Sequence, residues 1–236
     1  MEPLVIRYHF RTEDGTDAVF VVELDPETLQ LPDPGPDLPD WTRLDFRQCP
    51  NCPLDPMDRS HCPAAAHLHR LVLTFNHLVS YSRGEVEVVT SERTFVQNVS
   101  MQQGIGTLMG LIMATSGCPL LVFFRPMARF HLPFATHDET VFRAASAYLL
   151  ADHFHTRDTG QEPDRDMKGL GRIYEEVHVL NGAMVNRIRA AARTDVSVNA
   201  VIHLDMFALM LPLQLGLQLS PVRRYFKPYL DSLGQA

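Results

Sequence analysis

The chain has 236 residues, 45% of them hydrophobic and 21% charged, with a net charge of −7. That balance belongs to an ordinary globular protein, long enough to bury one large core or two smaller ones. The acidic total counts against nucleic acid as a partner, since phosphate binding rests on clustered Lys and Arg. The densest basic group is Arg223, Arg224 and Lys227. The start, MEPLVIRYHFRTEDG, lacks the basic and apolar regions of a leader. The expectation is therefore a cytoplasmic protein with reduced thiols.

In chain order, β patterning comes first. Two runs rich in β-formers, LVIRYHF (4–10) and AVFVVEL (18–24), flank Asp14-Gly15, a strong hairpin signal. LPDPGPDLPD (31–40) carries four prolines and reads as an extended linker over the surface. WTRLDF (41–46) reads as a short strand leading to the first cysteine. Leu68, Leu71, Val72, Phe75, Leu78 and Val79 recur at helical spacing and predict a helix. EVEVVT (85–90) and TFVQNV (94–99) form a second hairpin.

From residue 101 onward the pattern is helical, with helices predicted at 102–116, 119–129, 137–155, 168–193 and 197–219. Residues 104–124 contain no charge and have the length of a membrane span. Gly117 and Pro119 interrupt that run, as a helix stop and a helix start, so two buried helices meeting at a corner are expected rather than a span. Thr136 and Glu139 form a capping-box pattern. Pro212 should kink or end the last helix. The fold class is α+β: N-terminal antiparallel hairpins with a packed helix (1–100), then a C-terminal helical bundle (101–236), sharing a core.

The cysteines carry the chemical argument. The chain has four, Cys49, Cys52, Cys62 and Cys118, and each precedes a proline. Cys49-Pro50-Asn51-Cys52 has the reach for two sulfurs on one ion. Pro53 and Pro56 disfavour a redox helix there, because each interior proline costs about 3 kcal/mol. Cys62-Pro63 and Cys118-Pro119 read as helix starts with the thiol at the cap. Together the four suggest an S₄ set for structural zinc, or alternatively an iron–sulfur cluster or an open metal position in a redox enzyme. His61, His67 and His69 are nitrogen alternatives to Cys118 as fourth ligand.

Other candidates are weaker. Glu175-x-x-His178 matches a di-metal helix element, but the helical wheel turns Glu175 away from the apolar stripe. His153 and His155 fit as dipole partners at a helix end, and His131 and His137 could enter a pocket near Cys118. Gly104, Gly106 and Gly110 resemble a dinucleotide loop, yet no further strands follow to build a doubly wound sheet. Close helix packing explains Gly106 and Gly110 better. Asp205 lies in an apolar run and should form a structural pair with an Arg. No nucleophilic triad can be assembled. The apolar runs 104–124 and 201–219 exceed what one domain readily buries, which points to a protein partner or a homo-oligomer and not to a membrane.

Overall fold

The computed structural model describes residues 2–217 and 219–234. The fold is α+β. Four strands, β1 (Leu4–Thr12), β2 (Asp17–Leu24), β3 (Arg83–Val89) and β4 (Thr94–Ser100), form one antiparallel sheet in the order β2-β1-β3-β4. Both predicted hairpins are present, and β1 joins them by pairing with β3, Phe10 opposite Val86. The Asp14-Gly15 turn works because Gly15 takes a φ of 90°, a left-handed value that glycine adopts at little cost.

Alternation sets the two faces of the sheet. Ile6, Tyr8, Phe10, Val22, Leu24, Val86 and Val88 point inward and are buried. Arg7, His9, Arg11, Glu85 and Glu87 alternate with them on the other face. There Arg11 bonds Glu85 at 2.6 Å, and His9 bonds Asp17 at 2.7 Å. These exposed pairs orient side chains and add little stability.

Helix α1 (Pro63–Thr74) turns Leu68, Leu71 and Val72 inward. At its C-terminal end Phe75 packs edge-on to Phe10, ring centroids 4.9 Å apart, and tilted on Phe20 at 5.5 Å. Helix α2 (Met101–Thr115) lies against the sheet at Gly104, where a Cβ would come within 2.9 Å of Val86 Cγ2.

The uncharged stretch after β4 folds as two pieces, as the Gly-Cys-Pro interruption predicts. Gly117 is left-handed, with φ 87°, and closes α2. The second piece begins as a 3-10 helix, Pro119–Phe124, and becomes α-helical only at α3 (Arg125–Arg129). The two pieces meet at 113°.

Three long helices follow: α4 (His137–Thr159), α5 (Lys168–Arg189) and α6 (Val196–Gly216). Short helices α7 (Ser220–Arg223) and α8 (Lys227–Leu233) come last. The capping box is formed: Glu139 N–H donates to Thr136 Oγ1 at 3.3 Å, and Thr136 N–H donates to Glu139 Oε2 at 2.7 Å. Helix α4 runs four residues beyond its predicted end and stops at Gly160, φ 71°. His153 and His155 therefore lie before the last turn, where Arg157 stands instead. Pro212 is accommodated inside α6.

The chain divides into two compact units. Unit 1 comprises residues 1–134 and 179–205, and unit 2 comprises residues 135–178 and 206–236.

Candidate functional site

The cysteine loop of unit 1 is closed by backbone bonds at its neck. Leu44 N–H donates to Ser60 O and Cys62 N–H to Thr42 O, both at 2.8 Å, with a bridge between Arg43 and His61. Residues 41–46 thus supply a bridge and a short 3-10 turn, Asp40–Thr42, where a strand is predicted. Proline at 39 and the tight neck favour a turn over an extended run.

One buried cation holds this neck. Arg187 is 1% exposed and is the largest fully buried side chain. Its Nη1 donates to Trp41 O at 2.9 Å and also to Arg43 O, and its Nη2 donates to Leu44 O at 3.3 Å. The guanidinium also lies 5.9 Å from the Phe46 ring centroid. Three carbonyls satisfy donors that would otherwise make its burial prohibitive. Nothing in residues 180–190, read as an ordinary amphipathic helix, marks this arginine out; its role emerges only when the loop arrives.

Within the loop, Cys52 N–H donates to Cys49 O at 3.0 Å, which closes the expected turn. Gln48 Nε2 donates to Leu54 O at 2.9 Å and braces it. Cys62 and Cys118 stand at the N-caps of α1 and of the Pro119–Phe124 turn, with extended backbone. All four thiols are free. Burial pushes the Cys49 thiol up to about 11; charge on Cys62 and Cys52 adds to this and Arg187 opposes it. Burial likewise pushes Cys118 up to about 12, with charge on Cys62, Cys49 and Cys52 contributing. At neutral pH both are protonated thiols, which are poor nucleophiles.

These thiols feel one another's charge, yet they do not form a ligand set. Among the described residues no group of three or more His, Cys, Asp or Glu side chains is placed to hold a metal ion. The sequence-based expectation of a metal-binding protein is corrected on this finding: neither structural zinc at Cys49, Cys52, Cys62 and Cys118 nor an iron–sulfur or open metal site describes its function. Spacing along a chain limits which thiols can reach one point; it does not make their sulfurs converge.

The nitrogen alternatives are engaged locally. His67 faces Pro63 O at 2.8 Å and Pro32 O at 3.0 Å through its two ring nitrogens. His61 Nδ1 bonds Ser60 Oγ at 2.9 Å, and His69 Nδ1 faces Ala66 O at 2.6 Å. The remaining candidates are exposed or engaged in pairs of their own. Glu175 and His178 are both on the exposed side of α5. His131 accepts or donates at Nε2 with the buried Tyr8 hydroxyl, 2.5 Å away. Asp205 Oδ1 accepts from the buried Asn181 Nδ2 at 3.2 Å.

The glycines of α2 serve packing. A Cβ at Gly106 would stand 3.2 Å from Ala200 O, and one at Gly110 would stand 3.3 Å from Leu204 Cδ2, both on α6.

Unit 2 presents a different kind of surface. On α4, Phe142, Leu149, Leu150 and Phe154 are exposed. On α6, Met206, Leu209 and Leu213 are 63%, 51% and 68% exposed, and Leu217 just beyond is 60% exposed. Their spacing of three, four and four residues puts them on one side of the helix. An open pocket of about 650 Å³ lies at the start of α4, walled by Phe142, Val222 and Phe226. The Phe142 and Phe226 rings stack there, 6.2 Å apart. At its rim Asp138 accepts from Arg224 Nη2 and Tyr225 OH, both at 3.1 Å.

By length and composition α6 also qualifies as a membrane span, as do α2 and the piece after it if taken together as one bent span. Its first half is core, however: Val196, Val198, Ala200 and Val201 are buried. Asp195 just before it accepts from Ser80 N–H at 3.0 Å and Ser80 Oγ at 2.8 Å.

No curated protein and no solved structure matches this chain. One family does, over residues 6–227, which takes in the sheet from Ile6 onward, the cysteine loop and all the long helices. The chain therefore belongs to the DUF6901 family, a domain of unknown function.

Proposed function

We propose that the chain is a protein-binding module that engages its partner through the exposed apolar faces of its helical unit. The observation that carries this reading is the set Met206, Leu209 and Leu213, each more than half exposed on one side of α6. A helix that is apolar nearly all round is normally covered on every side. Contiguous exposed apolar surface of this kind marks interaction sites in soluble proteins. Protonated thiols at Cys49 and Cys118 support a binding role over nucleophilic catalysis. The net charge of −7 supports a protein partner over nucleic acid.

The test is the size of the protein in a native extract of its own cells. The wild-type chain should elute well above its 26.7 kDa, and a chain carrying Leu150→Glu and Leu213→Glu should elute near it. Identical elution of the two contradicts the reading.

A further inference from the structure

We propose that Cys49 and Cys52 are a redox site, closing a reversible disulfide by exchange with a small disulfide of the glutathione class. The site lies in unit 1 and is independent of the binding reading above.

The first support is the turn. Cys52 N–H donates to Cys49 O at 3.0 Å, with Pro50 and Asn51 at the corner. Proline suits the second position of a β-turn because its φ is already fixed there. The Cα atoms at the two ends of such a turn lie within about 7 Å, and a disulfide spans about 4.4–6.8 Å. Little movement is needed to bring sulfur to sulfur.

The second is the frame. Gln48 Nε2 holds Leu54 O across the turn at 2.9 Å, and Arg47 Nη1 ties the preceding residue to Asn186 O of α5 at 2.6 Å. Cys49 feels charge on both Cys62 and Cys52, so two thiols compete to pair with it. Cys62 is 7% exposed and fixed as the cap of α1, with its N–H on Thr42 O. Cys52 shares the turn, and groups held together in this way react with little loss of freedom.

The third is access. Cys49 and Cys52 are half-buried, whereas Cys62 and Cys118 are buried. Gln48 and Pro50, on either side of Cys49, wall a pocket of about 420 Å³ against Gly182 and Ala183 of α5. Gly182 keeps this side open: no atom lies within 4 Å of where its Cβ would stand. A small disulfide has a way to the turn here.

The chemistry runs in two exchanges. Burial keeps Cys49 protonated at neutral pH, so Cys52 attacks first, as its thiolate. Its sulfur bonds one glutathione sulfur, the glutathione S–S bond breaks, and one glutathione thiolate leaves. Cys49 then loses its proton and attacks the Cys52 sulfur of the mixed disulfide, and the second glutathione thiolate leaves. Two protein thiols are oxidised, one glutathione disulfide is reduced to two thiols, and the two protons end on glutathione.

The experiment equilibrates the purified full chain at neutral pH with mixtures of oxidised and reduced glutathione and reads intact mass and a digest. Wild type should lose the mass of two hydrogens, with the bond mapped to Cys49 and Cys52, and excess reduced glutathione should restore all four thiols. Cys49→Ser should stop with glutathione attached to Cys52. Cys52→Ser should react about tenfold more slowly or less, because only the protonated thiol remains in the turn. Near-UV circular dichroism checks the fold of each variant, and the wild-type digest decides the matter even where a variant fails to fold. Wild type that keeps four free thiols at the highest proportion of oxidised glutathione overturns the proposal. So does a bond that maps to Cys62 or Cys118, or a mixed disulfide that persists on the wild-type turn.

Discussion

The two compact units differ in how fully they enclose apolar residues. Unit 1 leaves some exposed, Val19, Leu73 and Phe130 among them, but holds a deep core: both hairpins turn one face inward, α1 and α2 cover it, and Phe10, Phe20 and Phe75 meet ring to ring. Its polar surprise, Arg187, is also fully enclosed, with carbonyls for every bond described. Unit 2 buries a thin line, Val141, Ala144, Leu170, Tyr174, Ala208 and Leu211, and leaves larger side chains such as Phe154 and Leu213 in water. The lesson is a difference in depth of packing. Unit 1 packs its large rings against one another, while unit 2 leaves many of its large apolar side chains in contact with water.

The comparison breaks most visibly in unit 1. Phe10→Ala should cost about 3–5 kcal/mol, since it removes a fully buried ring. Arg187→Met should cost about 3 kcal/mol or more, because it strands the carbonyls of Trp41, Arg43 and Leu44. Urea denaturation measures both, and a loss below about 1 kcal/mol for either would show that the enclosure is not what holds unit 1. Gly106→Val comes next, at about 1–3 kcal/mol, because its Cβ presses on the Ala200 carbonyl and backbone yields poorly. In unit 2, Thr136→Ala should cost about 1 kcal/mol through the lost cap.

Much of this fold is legible in the residues. Alternation and Asp14-Gly15 locate both hairpins, Gly117-Cys118-Pro119 locates the corner, and Thr136 with Glu139 locates the start of α4. Two kinds of feature escape. Helix ends escape when propensity runs past the expected boundary, as at His155, which the chain passes before stopping at Gly160. Tertiary convergence escapes altogether. Four Cys-Pro pairs look like one ligand set in sequence, but two close a turn while two cap separate elements. Arg187 carries no local mark, because its acceptors lie more than a hundred residues away.

The thiols give a smaller and pH-dependent effect. Cys49 and Cys118 have folded pKa values raised above the ordinary 9.0. Below 9 they are neutral in both states, so stability there is independent of them. Above 9 the unfolded chain releases protons that the folded chain keeps, and stability falls as pH rises toward about 11 and 12. Replacing both by Ala should flatten that fall in thermal melts taken between pH 8 and 10; an unchanged slope would contradict the burial assigned to these thiols. Smallest of all, Leu213→Gln should leave stability within about 0.5 kcal/mol, as surface substitutions do, while weakening association.

The most direct test of the difference between the units is amide hydrogen exchange of the purified wild-type chain. Residues 206–217 should exchange quickly, and β1, β3 and α2 should exchange slowly. Protection at 206–217 as strong as that of β1, β3 and α2 would contradict the account.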